Sequence, residues 1–487
     1  MSEDSGKFKK LLKVEVRGAS IYMFATFLTQ FGSFLIVPFF WQKLSVYDYG
    51  IIGVIEIIGS FLGMFLGLQL DISITRFFYE WELSERKWRV GNIWVFSTLS
   101  SLLLGGFAIW WLSLISSLLF SDIDFYPYIF LGLIGLLISR LTVVPFAVFR
   151  IINQPVLYAI LSVAIFLIQS GLNIYYVLIL ESGLEGYFVS NIMGSIISFI
   201  IVSAVMFRFA KPCLKFEALK GPLRFSLPQI PASTISGLTN LIDRFLLQKY
   251  ASLEILGIYS LCLKFTNLIL HLHNSLKISF VPFMLKALSE ERTEGVVMVK
   301  KMRSLYLVII MAFGLSIILF IKDFVSWVDR SEYYPIIEWM PYLIFSVIIS
   351  TFTVYLAPGL FLSKRSDLTW IPAVSQLLIV FISGIILIPE YKMAGVIYSR
   401  YLSVISLFVI NFYLSQKYYP IAVNWNKLIL LNGLIITIIA FSQKLSIENI
   451  LLSISVNLLL LAIFLFFALI IAERISVKTI KTAFNRF

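Results

Sequence analysis

Long apolar runs, broken by short polar clusters, recur from Ala19 to the last helix, and none shows the two-residue alternation of a strand. A run of about 20 apolar residues matches the bilayer core. Backbone polar groups there must pair within the segment, so each run predicts a membrane-spanning helix. The runs lie at 18–41, 49–76, 91–120, 126–149, 156–180, 186–207, 224–248, 253–283, 304–321, 335–362, 368–388, 393–416, 428–443 and 449–472. The expected fold class is an all-α polytopic membrane protein with about 14 transmembrane helices.

Composition agrees with this pattern. The 487 residues are 59% hydrophobic and 14% charged, and mean hydropathy is +0.93. A soluble domain needs more polar surface than that. A net charge of +12 raises nucleic acid as a partner, but the placement of the basic residues gives a better account. About 28 of the 39 Lys and Arg fall on one side of the expected topology, in 1–17, 76–90, 208–224, 286–303, the tail 474–486 and shorter connections. The opposite side holds Lys43, Lys249, Lys322, Arg330, Lys392 and Lys444, with acidic pieces such as Ser121–Asp124 and Glu181–Glu185. This is the positive-inside asymmetry; it places both termini in the cytoplasm and argues for no nucleic-acid partner. The polar, basic first seventeen residues and the long run after them predict an anchor rather than a cleaved signal. Cys213 and Cys262 are too few for a disulfide framework, and nothing near His271 and His273 completes a metal site.

An internal repeat is visible at an offset of 207. Tyr22, Thr26, Thr29 and Ser33 match Gln229, Ser233, Ser236 and Asn240. Ser45 matches Ser252, Gly50 matches Gly257, Ser60 matches Asn267, Gly67 matches Asn274, and Gln169 matches Gln376. Six helices separate the copies, which predicts two pseudo-symmetric six-helix lobes of like orientation plus two extra C-terminal helices. The expected division is an N-lobe over 1–218, a C-lobe over 219–417, and a final helix pair with a basic cytoplasmic tail over 418–487.

Polar residues inside membrane helices are costly and mark candidate sites. Ser260, Lys264, Asn267, His271 and Asn274 share one helix face, as do Gln229, Ser233, Ser236, Asn240 and Asp243 with Arg244 at the edge. Two further stripes are Tyr22, Thr26, Thr29 and Ser33, and Glu56, Ser60, Gly63, Gly67 and Asp71. For any single Ser, Thr, Gly or Asn, helix-to-helix adhesion is the commoner explanation. It explains Arg140, Arg244, Lys264 and Arg400 less well, because a basic residue at a helix centre costs roughly 2.5–3.5 kcal/mol. Basic residues outnumber the carboxylates Glu56, Asp71 and Asp243, so the expected cavity is cationic and suits an anionic substrate such as a phosphate. The same carboxylates and His271 are candidates for coupling to a proton or sodium gradient, although a plain structural role suits His271 slightly better. No GxxxxGK[ST] loop and no catalytic constellation is present, so no cofactor and no enzymatic activity are expected.

The run from Leu227-Pro228 through Asn240-Leu241-Ile242-Asp243-Arg244, then Leu256-Gly257-Ile258-Tyr259-Ser260 and Lys264, resembles polysaccharide biosynthesis flippases. Pro38, Leu44-Ser45, Asp48-Tyr49-Gly50, Leu68 to Arg76 and Glu80 extend the likeness. These flippases are the Wzx-like members of the multidrug/oligosaccharidyl-lipid/polysaccharide exporter superfamily. The resemblance implies two six-helix lobes in a V around a central cavity, and alternating access by lobe rocking. It implies an undecaprenyl-diphosphate-linked oligosaccharide as substrate, moved across a bacterial cytoplasmic membrane for O-antigen, lipopolysaccharide, capsule or exopolysaccharide synthesis. Arg140, Arg244, Lys264 and Arg400 are the positions that fit the family's cationic residues, with Thr26, Ser33, Ser60, Gln229, Ser233, Asn240, Asn267 and Asn274 lining the sugar path. Membrane lipids, a polysaccharide polymerase and other assembly proteins are the expected partners. The rival readings are a drug or cation antiporter of the same fold, a membrane polymerase or ligase, and an assembly scaffold.

Overall fold

A computed structural model describes residues 2–120, 123–290, 292–356, 368, 370–418, 423, 425–445 and 449–471. Ser121, Asp122, the end of the tenth expected helix (357–362) and the tail 474–486 lie outside the described residues. Among the described residues the fold is all-helical, with no strand. The helices are α1 (Ser2–Trp41), α2 (Val46–Gly63), α3 (Leu70–Phe77), α4 (Leu83–Leu119), α5 (Phe130–Arg140), α6 (Val143–Ile151), α7 (Pro155–Asn173), α8 (Gly183–Met206) and α9 (Lys220–Ser226). They continue with α10 (Gln229–Tyr250), α11 (Leu253–Glu290), α12 (Arg292–Val328), α13 (Pro335–Leu356), α14 (Trp370–Tyr391), α15 (Met393–Tyr418), α16 (Trp425–Lys444) and α17 (Ile450–Ile471).

Thirteen described stretches are long and apolar enough to cross a membrane. The polar helix α10 is not one of them, but its 22 residues extend about 33 Å at 1.5 Å per residue, enough to span. The protein is therefore a multi-pass membrane protein of about fourteen helices. Its outward faces are apolar: Leu103, Leu451, Phe24 and Ile429 all stand more than 60% exposed. That arrangement suits lipid rather than water.

Local chemistry sets the ends of the elements. Ser45 caps α2: its hydroxyl accepts from the Asp48 N–H at 3.1 Å, and the Asp48 carboxylate accepts from the Ser45 N–H at 2.8 Å. Pro155 opens α7, where its missing N–H costs nothing. Several helices overrun their hydrophobic runs. The helix expected over 304–321 spans Arg292–Val328 instead, because hydropathy marks only the part inside lipid and a helix continues past it into water. Arg303, expected in a connection, is consequently buried within α12 at 2% exposure.

The chain forms two compact units, residues 1–257 and 258–487. In the first, α1 packs on α7, α5 on α8, α2 on α5 and α10, and α3 on α6 and α9. One end of this unit has a core built from Leu70, Ile74, Val90, Trp94, Phe149 and Val202 and their neighbours. Gly50 and Gly257, matched by the repeat, permit a backbone crossing here. A Cβ on Gly50 would stand 2.1 Å from the Leu253 carbonyl oxygen, and one on Gly257 2.0 Å from that of Val46. In the second unit α14 packs on α15, α13 on α12 and α15, and α17 on α12 and α16.

Candidate functional site

The second expected helix, 49–76, is not continuous. It stops at Gly63, makes a short tight turn over Leu66–Gln69, and resumes as α3. Gly67, Leu68 and Gln69 all take positive φ values, of 71°, 53° and 54°. A left-handed leucine and glutamine in succession are strained, and such strain persists only where neighbours enforce it. The fourth expected helix, 126–149, is also broken, at Leu141–Thr142 between α5 and α6. Arg140 is the last residue before that second break.

The broken ends release carbonyls that need donors inside a membrane. The Arg140 guanidinium donates to the Gly63 carbonyl. Gln69 donates to the Met64 carbonyl at 3.1 Å and to the Ser233 hydroxyl of α10 at 3.4 Å. Ser97 of α4 reaches the Gly67 carbonyl at 3.5 Å. Asp71 lies close enough for its charge to act on Arg140. Arg140 also borders a shallow crevice lined by Gly59, Leu62, Leu133 and Leu136.

Two turns back along α2, Glu56 accepts from the Arg244 guanidinium of α10 at 3.2 Å. The arginine side chain is 14% exposed and the glutamate 36%. Asp243, beside it and 2% exposed, accepts the Arg244 backbone N–H at 2.8 Å. Glu56, Ser60 and Gly63 share one face of α2, at spacings of four and three. Two guanidiniums thus attach to a single stripe about 10 Å apart along the axis, seven residues at 1.5 Å each. Ser60 stands exposed between them.

The other expected residues divide by their surroundings. Thr26 and Ser33 return their hydroxyls to their own helix, at the carbonyls of Tyr22 (2.9 Å) and Thr29 (2.8 Å). This back-bonding satisfies them locally. Ser233 does the same to Ile230 while accepting from Gln69. Gln229 is half-buried on the same helix. Asn240 lies in α10, but its side chain is outside the described part.

Lys264, Asn267, His271, Asn274 and Arg400 belong to the second unit. Arg400 of α15 donates to the fully buried Tyr259 hydroxyl at 3.0 Å. Lys264 and His271 are half-buried on α11, and Asn267 and Asn274 are exposed. His273, near which no metal site was expected, meets the Tyr306 hydroxyl of α12. No group of three potential metal ligands occurs among the described residues, and both cysteines are free thiols.

Three polar features lay outside the expected site residues, one of them, Gln169, being marked by the repeat alone. Gln69 holds the broken helix. Gln169 of α7 donates to Asn191 of α8 at 2.9 Å and to the Ser190 carbonyl at 3.2 Å. Asp323 of α12 accepts from Ser453 (2.5 Å) and Asn457 (2.8 Å) of α17, and all three are buried. Gln69 and Gln169 are polar residues within apolar runs, the signal that singled out the other candidates, whereas Asp323 lies just past the run 304–321.

Comparison with known proteins agrees with this architecture. The chain superposes on the lipid II flippase MurJ in its inward closed conformation with a TM-score of 0.69 at 15% identity, covering 91% of this chain and 97% of that one. An inward-facing multidrug resistance MATE transporter of the MOP superfamily matches with a TM-score of 0.56 at 14% identity, over 82% and 94% of the two chains. A MATE transporter of Vibrio cholerae, VcmN, gives 0.56 at 12% identity, over 83% and 98%. A search of curated protein sequences finds no match. A family model described as polysaccharide biosynthesis protein matches residues 16–288, a stretch that contains the broken helix and both of its arginines. On that match, carried by an all-helical fold shared with flippases and MATE transporters, the chain belongs to the polysaccharide biosynthesis protein family.

Proposed function

We propose that this protein is a flippase for an undecaprenyl-diphosphate-linked oligosaccharide, acting in the bacterial cytoplasmic membrane during synthesis of a surface polysaccharide. The observation that carries the proposal is the pair of guanidiniums, Arg140 and Arg244, attached to one stripe of α2 beside a helix break. Guanidinium binds phosphate oxygens in bidentate fashion, and in a site of low dielectric it does so strongly. Lys264 and Arg400 supply cationic candidates in the second unit. Membership of a polysaccharide biosynthesis family selects a glycan-bearing lipid among anionic substrates. The protein then acts as a carrier rather than a catalyst, with both termini in the cytoplasm and the polymerase as a downstream partner. A cation antiporter is favoured less, because Glu56 is already neutralised by Arg244.

The test is the leaflet distribution of the lipid-linked oligosaccharide after deletion of the gene. Inner-leaflet accumulation with loss of surface glycan, restored by the wild-type chain and not by Arg244→Ala, is the expected result. An unchanged distribution in a strain without a second flippase rejects the proposal.

A further inference from the structure

At one end of the first unit, two connections far apart in sequence join into one surface. The strap 208–217, between α8 and α9, lies along the first turns of α4. The Lys211 N–H donates to the Lys87 carbonyl at 2.9 Å. Asn92, 1% exposed, holds the backbone of Lys215 with both ends of its amide: Nδ2 donates to the carbonyl at 2.9 Å, and Oδ1 accepts from the N–H at 2.7 Å. The Cys213 thiol reaches the Trp88 carbonyl at 3.3 Å. Gly91 permits the approach, since a Cβ there would meet the Lys211 carbonyl oxygen at 2.0 Å.

This scaffold presents cations and aromatic rings together. The Arg89 guanidinium and the Lys215 ammonium lie 4.8 and 4.9 Å from the Trp88 ring centroid. Arg86 lies 4.9 Å from that of Phe78. Lys87, Arg208, Lys211 and Lys215 are exposed, and among the described residues no carboxylate pairs with them. Of the nearby acids, Glu80 and Glu85 are held by Arg76 and Arg89, while Glu82 and Glu217 remain. Between the cations stand exposed apolar side chains: Leu83 at 79%, Phe216 at 69%, Tyr79 at 65% and Phe207 at 59%.

We propose that this surface binds the headgroups of anionic phospholipids in the surrounding leaflet. Lys87, Lys211 and Lys215 would meet the phosphates, and Phe216 and Leu83 would enter the acyl boundary. The reasons are charge complementarity and position. The strap caps the membrane-spanning ends of α4 and α8, where aromatic rings and basic side chains sit at headgroup depth. Because Asn92 ties down the backbone of the strap, the positions from which the lysines project are set before the lipid arrives, which lowers the ordering cost of binding. This surface is separate from Arg140 and Arg244, so the inference stands without the flippase reading.

The experiment is native mass spectrometry of the purified full chain, supplied equally with phosphatidylglycerol and phosphatidylcholine. The wild type is expected to retain phosphatidylglycerol preferentially. The triple variant Lys87→Gln/Lys211→Gln/Lys215→Gln should lose that preference, by about fivefold per charge removed. The triple Lys→Arg variant should keep it, which separates charge from misfolding. Lys392→Gln/Lys444→Gln, on connections expected on the opposite side of the membrane, should leave it unchanged. An equal retention of both lipids by the wild type would overturn the proposal. So would preference surviving in the triple Gln variant, equal loss in the remote double variant, or displacement of the lipid by inorganic phosphate alone.

Discussion

Arg244 carries more of the proposed chemistry than any other side chain, and its partner defines what a mutation there does. Its guanidinium rests against Glu56 across two helices, so Arg244→Ala removes a phosphate ligand and strands a carboxylate. A partly buried carboxylate left alone costs about 1–3 kcal/mol. Translocation should fall at least tenfold and the melting temperature should drop. Arg244→Lys should be milder in both, having charge without the planar fork. Glu56→Gln keeps an acceptor for Arg244 and should fold normally. If Arg244→Ala transports at the wild-type rate at equal expression, the phosphate role is lost. Outside the membrane-spanning segments, Glu181 offers a titration with a clear sign. The hydrogen bond from Lys43, and then its charge, hold the Glu181 carboxyl below the ordinary carboxylate value. A depressed folded value stabilises at pH above the unfolded value, and the effect vanishes as pH falls through the folded one. The melting temperature of Lys43→Gln should therefore lie slightly below wild type at neutral pH and converge with it in acid. The difference should be small, because the pair is exposed.

At the level of single elements, the break in the second helix sets the geometry of the site, and it is held by backbone conformation as much as by side chains. Gly67 has φ of +71°, and a Cβ there would lie 2.9 Å from the Ser97 hydroxyl. Gly67→Ala should lower the unfolding free energy by about 1–2 kcal/mol, the cost of forcing an L-residue into the left-handed region. Gly106, in the middle of α4 with open space around it, provides the contrast. Gly106→Ala should stabilise by about 0.5–1 kcal/mol, because only chain entropy and helix propensity change. Equal effects at the two positions, measured by thermal unfolding in one detergent, would mean that the break is not enforced. The break also shows where sequence reading ends. Of the stripe Glu56, Ser60, Gly63, Gly67 and Asp71, the spacing holds for Glu56, Ser60 and Gly63 on α2, while Gly67 and Asp71 lie past the break and do not continue that face. The interruption was not legible, because Met64-Phe65-Leu66-Gly67-Leu68 is as apolar as a continuous helix and a single glycine is common in membranes. The partner of Arg244 was hidden for a different reason. Glu56 lies 188 positions away, and helical phase assigns a residue to a face without saying which helix that face meets.

Across the whole chain, the two last helices raise the question of what fixes an element outside the internal repeat. They belong to the second compact unit, and their attachment is partly polar. Asp323 of α12 accepts from Ser453 and Asn457 of α17, and Asn457 also donates to the Leu319 carbonyl at 3.0 Å. Apolar burial gives helices little reason to associate in lipid, so packing and such hydrogen bonds carry the specificity. A buried carboxylate served by two side-chain donors has one low-energy register for its partner helix. The final helix should therefore move with the second unit rather than slide along it. A double-mutant cycle measures the coupling. Asp323→Leu and Asn457→Leu should each destabilise, and the double variant should be less destabilised than the sum by about 1–2 kcal/mol, near the upper end for hydrogen bonds in membranes. Strictly additive effects would mean that van der Waals packing alone docks α17. In that case the Asp323 site would contribute nothing to holding the last helix in register.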